Sequence, residues 1–359
     1  MSRRDSAIGL RRTTLHLGQA TLATRHGDFV VHFFRDLMRG EIAMAIVCGS
    51  LTGSSPLLAR VHSSCLTSEC LMGLDCDCAG QLDTALATMA AEGDGVVFYL
   101  MQEGRGAGLT AKARDRMIVQ ASGNRITTFE AYSELGLPPD LRRYEVVASM
   151  SRLLGIRAPL RLLTNNPDKA AAVEKALADE RIEVFQTEAI HGPISAFNCD
   201  YLSAKHDSGH ALNRPAPIDA ALPPERVRKL PPRVVPGARN LIRTAAYFLP
   251  VALPSRAEGP GSEELVDWFR LDVIFDGRTG RESIVLAHRD SEAVERLAYA
   301  ASLLGHGEGD QRVTMTLLDR FPLRFSAGRD ALTRNLQTIR SEGRGAVAIR
   351  FDDRDRVEN

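Results

Sequence analysis

The stretch CAGQLDTALATMAAEGDGVVFYLMQEGRGAG, Cys78 to Gly108, decides how the chain folds. Leu82, Leu86 and Met89 recur at helical spacing and Gly93 closes the run, so a helix is expected from Cys78 to Gly93. Val96–Leu100 is a short apolar run and reads as a buried strand. Glu103-Gly104-Arg105-Gly106-Ala107-Gly108 then forms a glycine-rich loop entering a helix near Ala111. Upstream, Phe29–Phe34, Ile42–Cys48 and Leu57–His62 read as strands. Downstream, Asp140–Leu154 is amphipathic and Arg161–Leu163 is a strand. Thr164-Asn165-Asn166-Pro167 is a turn, and Pro167–Ala178 is a helix with proline in its first turn. Alternating strands and helices favour an α/β or α+β layered domain.

Seven prolines between Pro215 and Pro236 break any regular element and mark a linker. The expected organisation is therefore an N-terminal tail over residues 1–26, a catalytic domain over 27–212, a proline-rich linker over 213–238 and a smaller α+β domain over 239–359. That last region reads as a degenerate duplicate of the first. Leu332, Leu336, Ile339, Glu342, Gly343, Gly345 and Val347 follow the order and spacing of Leu82, Leu86, Met89, Glu92, Gly93, Gly95 and Val97. Phe269 to His288 likewise lies on Phe29 to Cys48 without a gap. The simpler alternative is that any helix–glycine–strand unit looks like this. In the copy Ser326 and Gly328 stand where Cys76 and Cys78 would repeat, so the second region is expected to be non-catalytic.

The 359 residues are 44% apolar and 25% charged, as in soluble globular proteins. Lys+Arg and Asp+Glu both number 45, so no global positive field would hold nucleic acid, although local clusters can bind a small polyanion. No apolar run has the length of a membrane span, and the arginine-rich start lacks the apolar core of a secretory signal. Of six cysteines, Cys65, Cys70, Cys76 and Cys78 crowd together, while Cys48 and Cys199 stand apart. A secreted disulfide framework would spread them, so a reducing, cytoplasmic setting and a local chemical purpose are expected.

In Cys65-(x10)-Cys76-x-Cys78 three thiolates leave a tetrahedral metal one open position, as a catalytic zinc requires; Cys70 is available as a fourth but is poorly placed for a knuckle. Such a metal brings the pKa of a water near neutrality and presents it to an electrophilic carbon. Packing alone is a weak account of cysteines interleaved with Asp75 and Asp77. Groups suited to a triphosphate surround the cluster in sequence: Arg60-Val61-His62 upstream, Arg105 in the glycine loop, and Lys169 in a helix start that offers free N–H groups.

These segments together resemble the GTP cyclohydrolase II family over about residues 27–212. The match is carried by Arg60-Val61-His62-Ser63-Ser64-Cys65-Leu66-Thr67, Asp75-Cys76-Asp77-Cys78, Gln102-Glu103-Gly104-Arg105-Gly106-Ala107-Gly108-Leu109 and Leu162-Leu163-Thr164-Asn165-Asn166-Pro167-Asp168-Lys169. Asn198, Tyr201-Leu202, Lys205 and Gly209-His210 extend it. The resemblance implies a mixed-sheet α/β domain and one zinc per chain on Cys65, Cys76 and Cys78. It implies substrate contacts from Arg60, Val61, His62, Ser63, Ser64, Gln81, Glu103, Gly104, Arg105, Thr128, Thr164 and Lys169. Asp140 takes the acid–base role, and Arg142 is the nucleophile that receives the α-phosphoryl group. Magnesium rides on the triphosphate, and a homodimer is expected, with neither nucleic acid nor membrane as partner. The implied reaction opens the imidazole ring of GTP, releases formate and diphosphate, and leads toward riboflavin.

Three departures stand out. Ser64 replaces an acidic residue, and Asp75 stands where a basic one is frequent. Laying Gln120 on the family's glutamine places Met117 where the family has a tyrosine. A thioether cannot donate a hydrogen bond, so the reaction is expected to stop at the formylamino pyrimidine. The alternatives are a cyclohydrolase for another nucleotide, such as a uridine nucleotide, and a zinc-stabilised nucleotide-binding regulator without turnover.

Overall fold

The computed structural model of the chain describes residues 13–53, 55–216, 218–236, 238–253, 265–288, 313–318, 326–342 and 346–351. A seven-stranded sheet is built from β1 (Thr14–Thr24), β2 (Gly27–Asp36), β3 (Glu41–Cys48), β4 (Leu57–Ser63), β5 (Gly95–Leu100), β6 (Leu160–Leu163) and β7 (Val184–Glu188). Its order is β1-β2-β3-β5-β4-β6-β7. The first four strands of that order pair antiparallel, whereas β5, β4, β6 and β7 are parallel. The sheet is thus mixed, as the family resemblance implies.

Parallel neighbours need crossover helices. α1 (Leu66–Glu69) and α2 (Cys78–Glu92) lie between β4 and β5. On the expected helical stripe, Leu86 and Met89 are buried with Ala85 against Met44, Ile46, Val97 and Tyr99 on one face of the sheet. Full burial of such a side chain stabilises by roughly 1.5–3 kcal/mol. The other face packs on α5 (Glu145–Leu153) and α6 (Pro167–Leu177), with Val147, Met150, Val173 and Leu177 in its core. Between them in sequence come α3 (Leu109–Ala121), α4 (Thr128–Glu134) and, after β7, α7 (Cys199–Asp207).

Two expectations are corrected here. Thr14–Thr24, placed in the tail, forms the edge strand β1, paired along its length with β2; residues 1–12 of the tail lie outside the described residues. The helix expected from Asp140 starts only at Glu145. Pro138 and Pro139 precede it, the Asp140 carboxylate accepts from the backbone N–H of Arg142 at 2.9 Å, and the Leu141 N–H goes to the Arg105 carbonyl at 2.9 Å. These bonds hold the segment as a loop.

Of the expected linker, residues 213–232 contain no helix or strand among the described residues, but a short strand at Arg233–Val235, ahead of Pro236, corrects the expectation that the whole of 213–238 lacks regular structure. Beyond them lies a six-stranded sheet of β8 (Arg233–Val235), β9 (Ala238–Leu253), β10 (Leu265–Asp276), β11 (Arg281–Ala287), β12 (Val313–Leu318) and β13 (Ala346–Phe351), with α8 (Ser326–Glu342). The order is β12-β13-β11-β10-β9-β8.

The second sheet reproduces the register of the first. Asp36 pairs with Glu41 and Val30 with Val47; Asp276 pairs with Arg281 and Arg270 with Ala287. Val47 faces Val96 as Ala287 faces Ala346, both antiparallel, and the next pair, β4–β5 or β12–β13, is parallel. Gly40 and Gly280 close equivalent turns at φ +68°, each donating its N–H to the aspartate that begins the turn. A bulge interrupts β1–β2 after His16↔Phe34 and β9–β10 after Arg243↔Ile274, three pairs in from the turn in both sheets. Leu332, Leu336 and Ile339 are buried on α8 in the manner of the α2 stripe. Gly343 and Gly345 fall outside the described residues.

Sheet two does not stand apart. Tyr247, Leu249, Val251, Phe269 and Leu336 share one core with Leu71, Met72, Leu109, Ala113 and Met117 of the first domain. Gly73 bridges antiparallel to Val251, with Leu74 N to Pro250 O at 2.9 Å and Ala252 N to Met72 O at 3.1 Å. The segment between Cys65 and Cys76 is thereby stitched to β9.

Candidate active site

β4, β5 and β6 point their carboxyl ends at one cavity of about 320 Å³, the usual position of a site in a parallel sheet. Each strand exit delivers one of the sequence motifs: Ser63-Ser64-Cys65 after β4, Gln102 to Arg105 after β5, and Thr164 to Lys169 after β6. The loop Pro139–Arg142 and helices α3, α4 and α7 close the sides.

The sulfurs of Cys65, Cys76 and Cys78 lie within 4.8 Å of one another, and those of Cys65 and Cys76 are 3.6 Å apart. Sulfurs sharing a tetrahedral zinc at ~2.3 Å would be about 3.8 Å apart, so the donor set fits that ion. Among the described residues Cys70 is not in this group. Hydrogen bonding to Cys65 and then Cys78 draws the Cys76 thiol well below its usual range, and the same contacts drive Cys78 up. Three crowded thiols compete for the negative charge, and a cation would relieve that competition. Lys112 on α3 already reaches in, its Nζ 2.9 Å from Cys65 Sγ and 2.9 Å from Glu103 Oε1.

Arg60 and His62 are buried and mostly occupied with the scaffold. Arg60 donates to Leu163 O, Gln81 Oε1 and His62 Nδ1. Because His62 Nδ1 accepts, its Nε2 carries the proton and donates to Glu69 Oε1 at 2.8 Å. Burial first, against the pull of Glu69, lowers the His62 pKa, so the ring is neutral near pH 7. Gln81 Nε2 donates to Asp77 Oδ2 at 2.6 Å, and the Thr128 hydroxyl donates to Asp115 at 2.9 Å.

Also in the cavity lining, Lys169 is 9% exposed and has Val61 O, 3.2 Å away, as its Nζ acceptor. Burial, then the Arg142 and Arg60 charges, push its pKa well down. Buried cations gathered this way are destabilising until an anion neutralises them. Arg142 is chelated by Asp140, whose two oxygens take its Nε at 2.9 and 3.0 Å, with a further close contact to Nη2. Arg105 lies over the Phe129 ring, 4.1 Å from its centroid. Gly106 lets this loop pass: at φ +84° a side chain would be strained, and its Cβ would come 2.8 Å from the carbonyl carbon of Leu141.

The cavity gathers Arg60, His62, Ser63, Ser64, Cys65, Cys78, Gln81, Glu103, Gly104, Arg105, Thr128, Asp140, Arg142, Thr164 and Lys169. Val61 is different: its side chain is in the core and only its carbonyl serves the site. Met117 does not reach the cavity either. It is 1% exposed in the core shared with sheet two, and its sulfur lies 3.5 Å from Leu230 N. The preceding residue, Arg116, lines the cavity instead, with Asp115 beside it and Lys112 one turn before. Sequence reasoning left out these three, along with Phe129, Tyr132, Tyr201, Lys205 and His210. Tyr201, Lys205 and His210 had a signal, since they belong to the last matching motif.

The GTP cyclohydrolase II family model matches residues 15–186. GTP cyclohydrolase-2 of Shewanella oneidensis is 37% identical over 199 residues, covering 55% of this chain and 94% of the relative. The chain belongs to the GTP cyclohydrolase II family. The Shewanella amazonensis enzyme of the same name is also 37% identical over 199 residues, 93% of its length. Among solved structures, RibBX, a two-domain 3,4-dihydroxy-2-butanone 4-phosphate synthase from A. baumannii, matches at 18% identity and a TM-score of 0.27. It covers 51% of this chain and 41% of its own, a likeness too low to carry an argument. The family model ends before the second sheet begins, so that sheet is an addition to the family domain. No helix among the described residues is long and apolar enough to cross a membrane.

Membership makes the placement of Met117 testable. A tyrosine there would have to enter a filled core, at a cost of about 1–3 kcal/mol. Met117→Tyr is expected to lower the melting temperature and leave the formate-to-pyrophosphate ratio unchanged. A Met117→Tyr protein as stable as its parent, with an altered product ratio, would contradict the placement.

Proposed function

We propose that this enzyme hydrolyses the imidazole ring of GTP at the three-cysteine centre and cleaves diphosphate from the same substrate at the Asp140–Arg142 pair. The observation that carries this reading is the make-up of one cavity. Its lining includes two of three converging thiols, the buried cation Lys169 and the half-buried Arg142. A nucleoside triphosphate has a base to offer the thiols and a polyanion to offer the cations.

Zinc on Cys65, Cys76 and Cys78 would supply a Lewis acid with one position open to solvent. The chain's own groups do the rest. Glu103 accepts from Leu66 N at 2.6 Å and from Lys112 Nζ at 2.9 Å, and so holds the Cys65 loop against α3. Lys169, Thr164 and the amino end of α6 take the phosphates, with magnesium proposed as their counter-ion. A guanidinium nitrogen of Arg142 attacks the α-phosphorus, pyrophosphate departs, and Asp140 accepts the proton that the nitrogen must lose; water then cleaves the N–P bond, which frees the ribosyl phosphate and restores Arg142. Expected products are formate, pyrophosphate and a diaminopyrimidinone ribosyl phosphate, a precursor on the way to riboflavin. A halt at the formylamino stage rested on Met117, which is outside the cavity. We also read the second domain as a degenerate, non-catalytic duplicate of the first. The shared bulge and turn register support this more strongly than the apolar spacing that first suggested it.

Arg142→Ala is expected to cut pyrophosphate release by ~10²-fold or more while the fold persists, since the residue sits in a loop ahead of α5. Near-normal pyrophosphate release from that variant would exclude the covalent role. The substrate itself is tested by a panel of nucleoside triphosphates followed by ultraviolet spectra. Only GTP should show loss of the purine chromophore; opening of a uridine nucleotide, or binding of GTP without change, would replace this reading.

A further inference from the structure

The aspartates interleaved with the thiols each anchor a cation. Asp75 pairs with Arg116, Nε to Oδ2 at 3.3 Å, and Arg116 Nη2 donates to the Asp75 carbonyl oxygen at 3.3 Å. Asp77 accepts from Lys205 Nζ at 2.8 Å. These two cations lie over one aromatic ring: the Arg116 guanidinium carbon and Lys205 Nζ are each 4.5 Å from the centroid of Tyr201. An aromatic ring held by two such contacts is fixed in place, and each contact strengthens when desolvated.

Tyr201 lines the cavity, yet its hydroxyl has no hydrogen-bond partner among the described residues. Of the other phenols near the site, Tyr132 donates to Gly104 O at 2.7 Å and Tyr99 to Glu69 at 2.6 Å. The hydroxyls of Tyr144 and Tyr247 also lack a partner, but both residues are buried outside the cavity lining. Arg116 and Lys205 are bound to Asp75 and Asp77, the neighbours of Cys76, which puts the Tyr201 ring beside the cysteines.

We propose that Tyr201 is a positioning residue for the base. Its hydroxyl hydrogen-bonds the polar edge of the purine beside Cys76 and Cys78, and the Asp75–Arg116 and Lys205–Asp77 pairs aim it there. This deepens the proposed function and rests on it for the identity of the base. It also gives a role to Asp75 and Asp77, which zinc ligation leaves unexplained, and to α7.

Tyr201→Phe tests the proposal in the full chain because it keeps the ring and both cation contacts and removes only the oxygen. Zinc content and melting temperature should match the parent. Formate release should fall by ~10²-fold, and the affinity of metal-stripped protein for GTP should weaken by about 3- to 10-fold. Tyr201→Leu should in addition lower the melting temperature, because the clasp is lost. Parental formate release and affinity in Tyr201→Phe would overturn the proposal and leave the ring a purely structural role. If the parent binds GTP without opening it, the proposed function fails, and the affinity comparison alone decides Tyr201.

Discussion

Cys76→Ser is expected to reduce zinc from one equivalent per chain toward none and to lower formate release by at least ~10²-fold. Loss even of groups that only support a metal ligand costs 10–100-fold in affinity or activity. A serine hydroxyl is a poor donor for zinc, and two remaining sulfurs do not define the site. Cys76 sits between Asp75 and Asp77, both engaged with cations, and the change removes a single buried sulfur. The fold should therefore persist, and circular dichroism separates loss of metal from loss of structure. Metal analysis by mass spectrometry beside a formate assay makes the check. Active protein without zinc, or undiminished turnover in Cys76→Ser, would remove the metal from the mechanism.

Leu249→Asp, far from the cavity, is expected to have an effect of similar size on the whole molecule. Leu249 is fully buried where β9 meets the segment Leu71–Gly73, and its Cδ1 lies 2.7 Å from where a Gly73 Cβ would stand. The adjacent Phe248 exchanges two hydrogen bonds with the side chain of Gln120 on α3, at 2.9 and 2.6 Å. A carboxylate in that position has no partner and would cost about 4 kcal/mol or more, among the largest effects of single substitutions. The second domain holds both the cysteine loop and the helix bearing Lys112 and Arg116. The melting temperature and zinc retention should therefore fall together. A Leu249→Asp protein that melts lower yet keeps zinc and full turnover would show that sheet two is a passenger. Thus the region expected to be non-catalytic is still expected to be necessary.

What the sequence disclosed was whatever is written locally. Cys65, the glycine loop and Thr164–Lys169 each leave the end of a parallel strand within a few residues, and Cys76 and Cys78 return to the same place at the start of α2, so motif and site coincide. The α2 stripe was equally plain, because Leu86 and Met89 share one buried face. β1 was hidden: most of its residues are exposed, with Leu15 and Leu17 at 45% and 53%, so no buried alternation marks it.

Met117 failed for a geometric reason. One residue along a helix turns the side chain by about 100°, which exchanges the cavity face of Lys112, Asp115 and Arg116 for the core face of Leu109, Ala113 and Met117. Placing a single gap therefore decides which side of α3 a residue occupies, and the sequence alone does not place it. Lys205 and Tyr201 reach the site only because α7 folds back onto Arg116 and, across 128 residues, onto Asp77. No local pattern announces such a contact. The second domain was legible as spacing, but its matching bulge and turn appear only in the strand register.

The most direct test of the account is a single incubation of zinc-loaded protein with GTP and magnesium, with formate and pyrophosphate measured in the same sample. Both should appear, formate should cease on chelation and return with zinc, and Arg142→Ala should suppress pyrophosphate while zinc stays bound. GTP recovered intact from the zinc-loaded protein, or formate release indifferent to chelation, would contradict it.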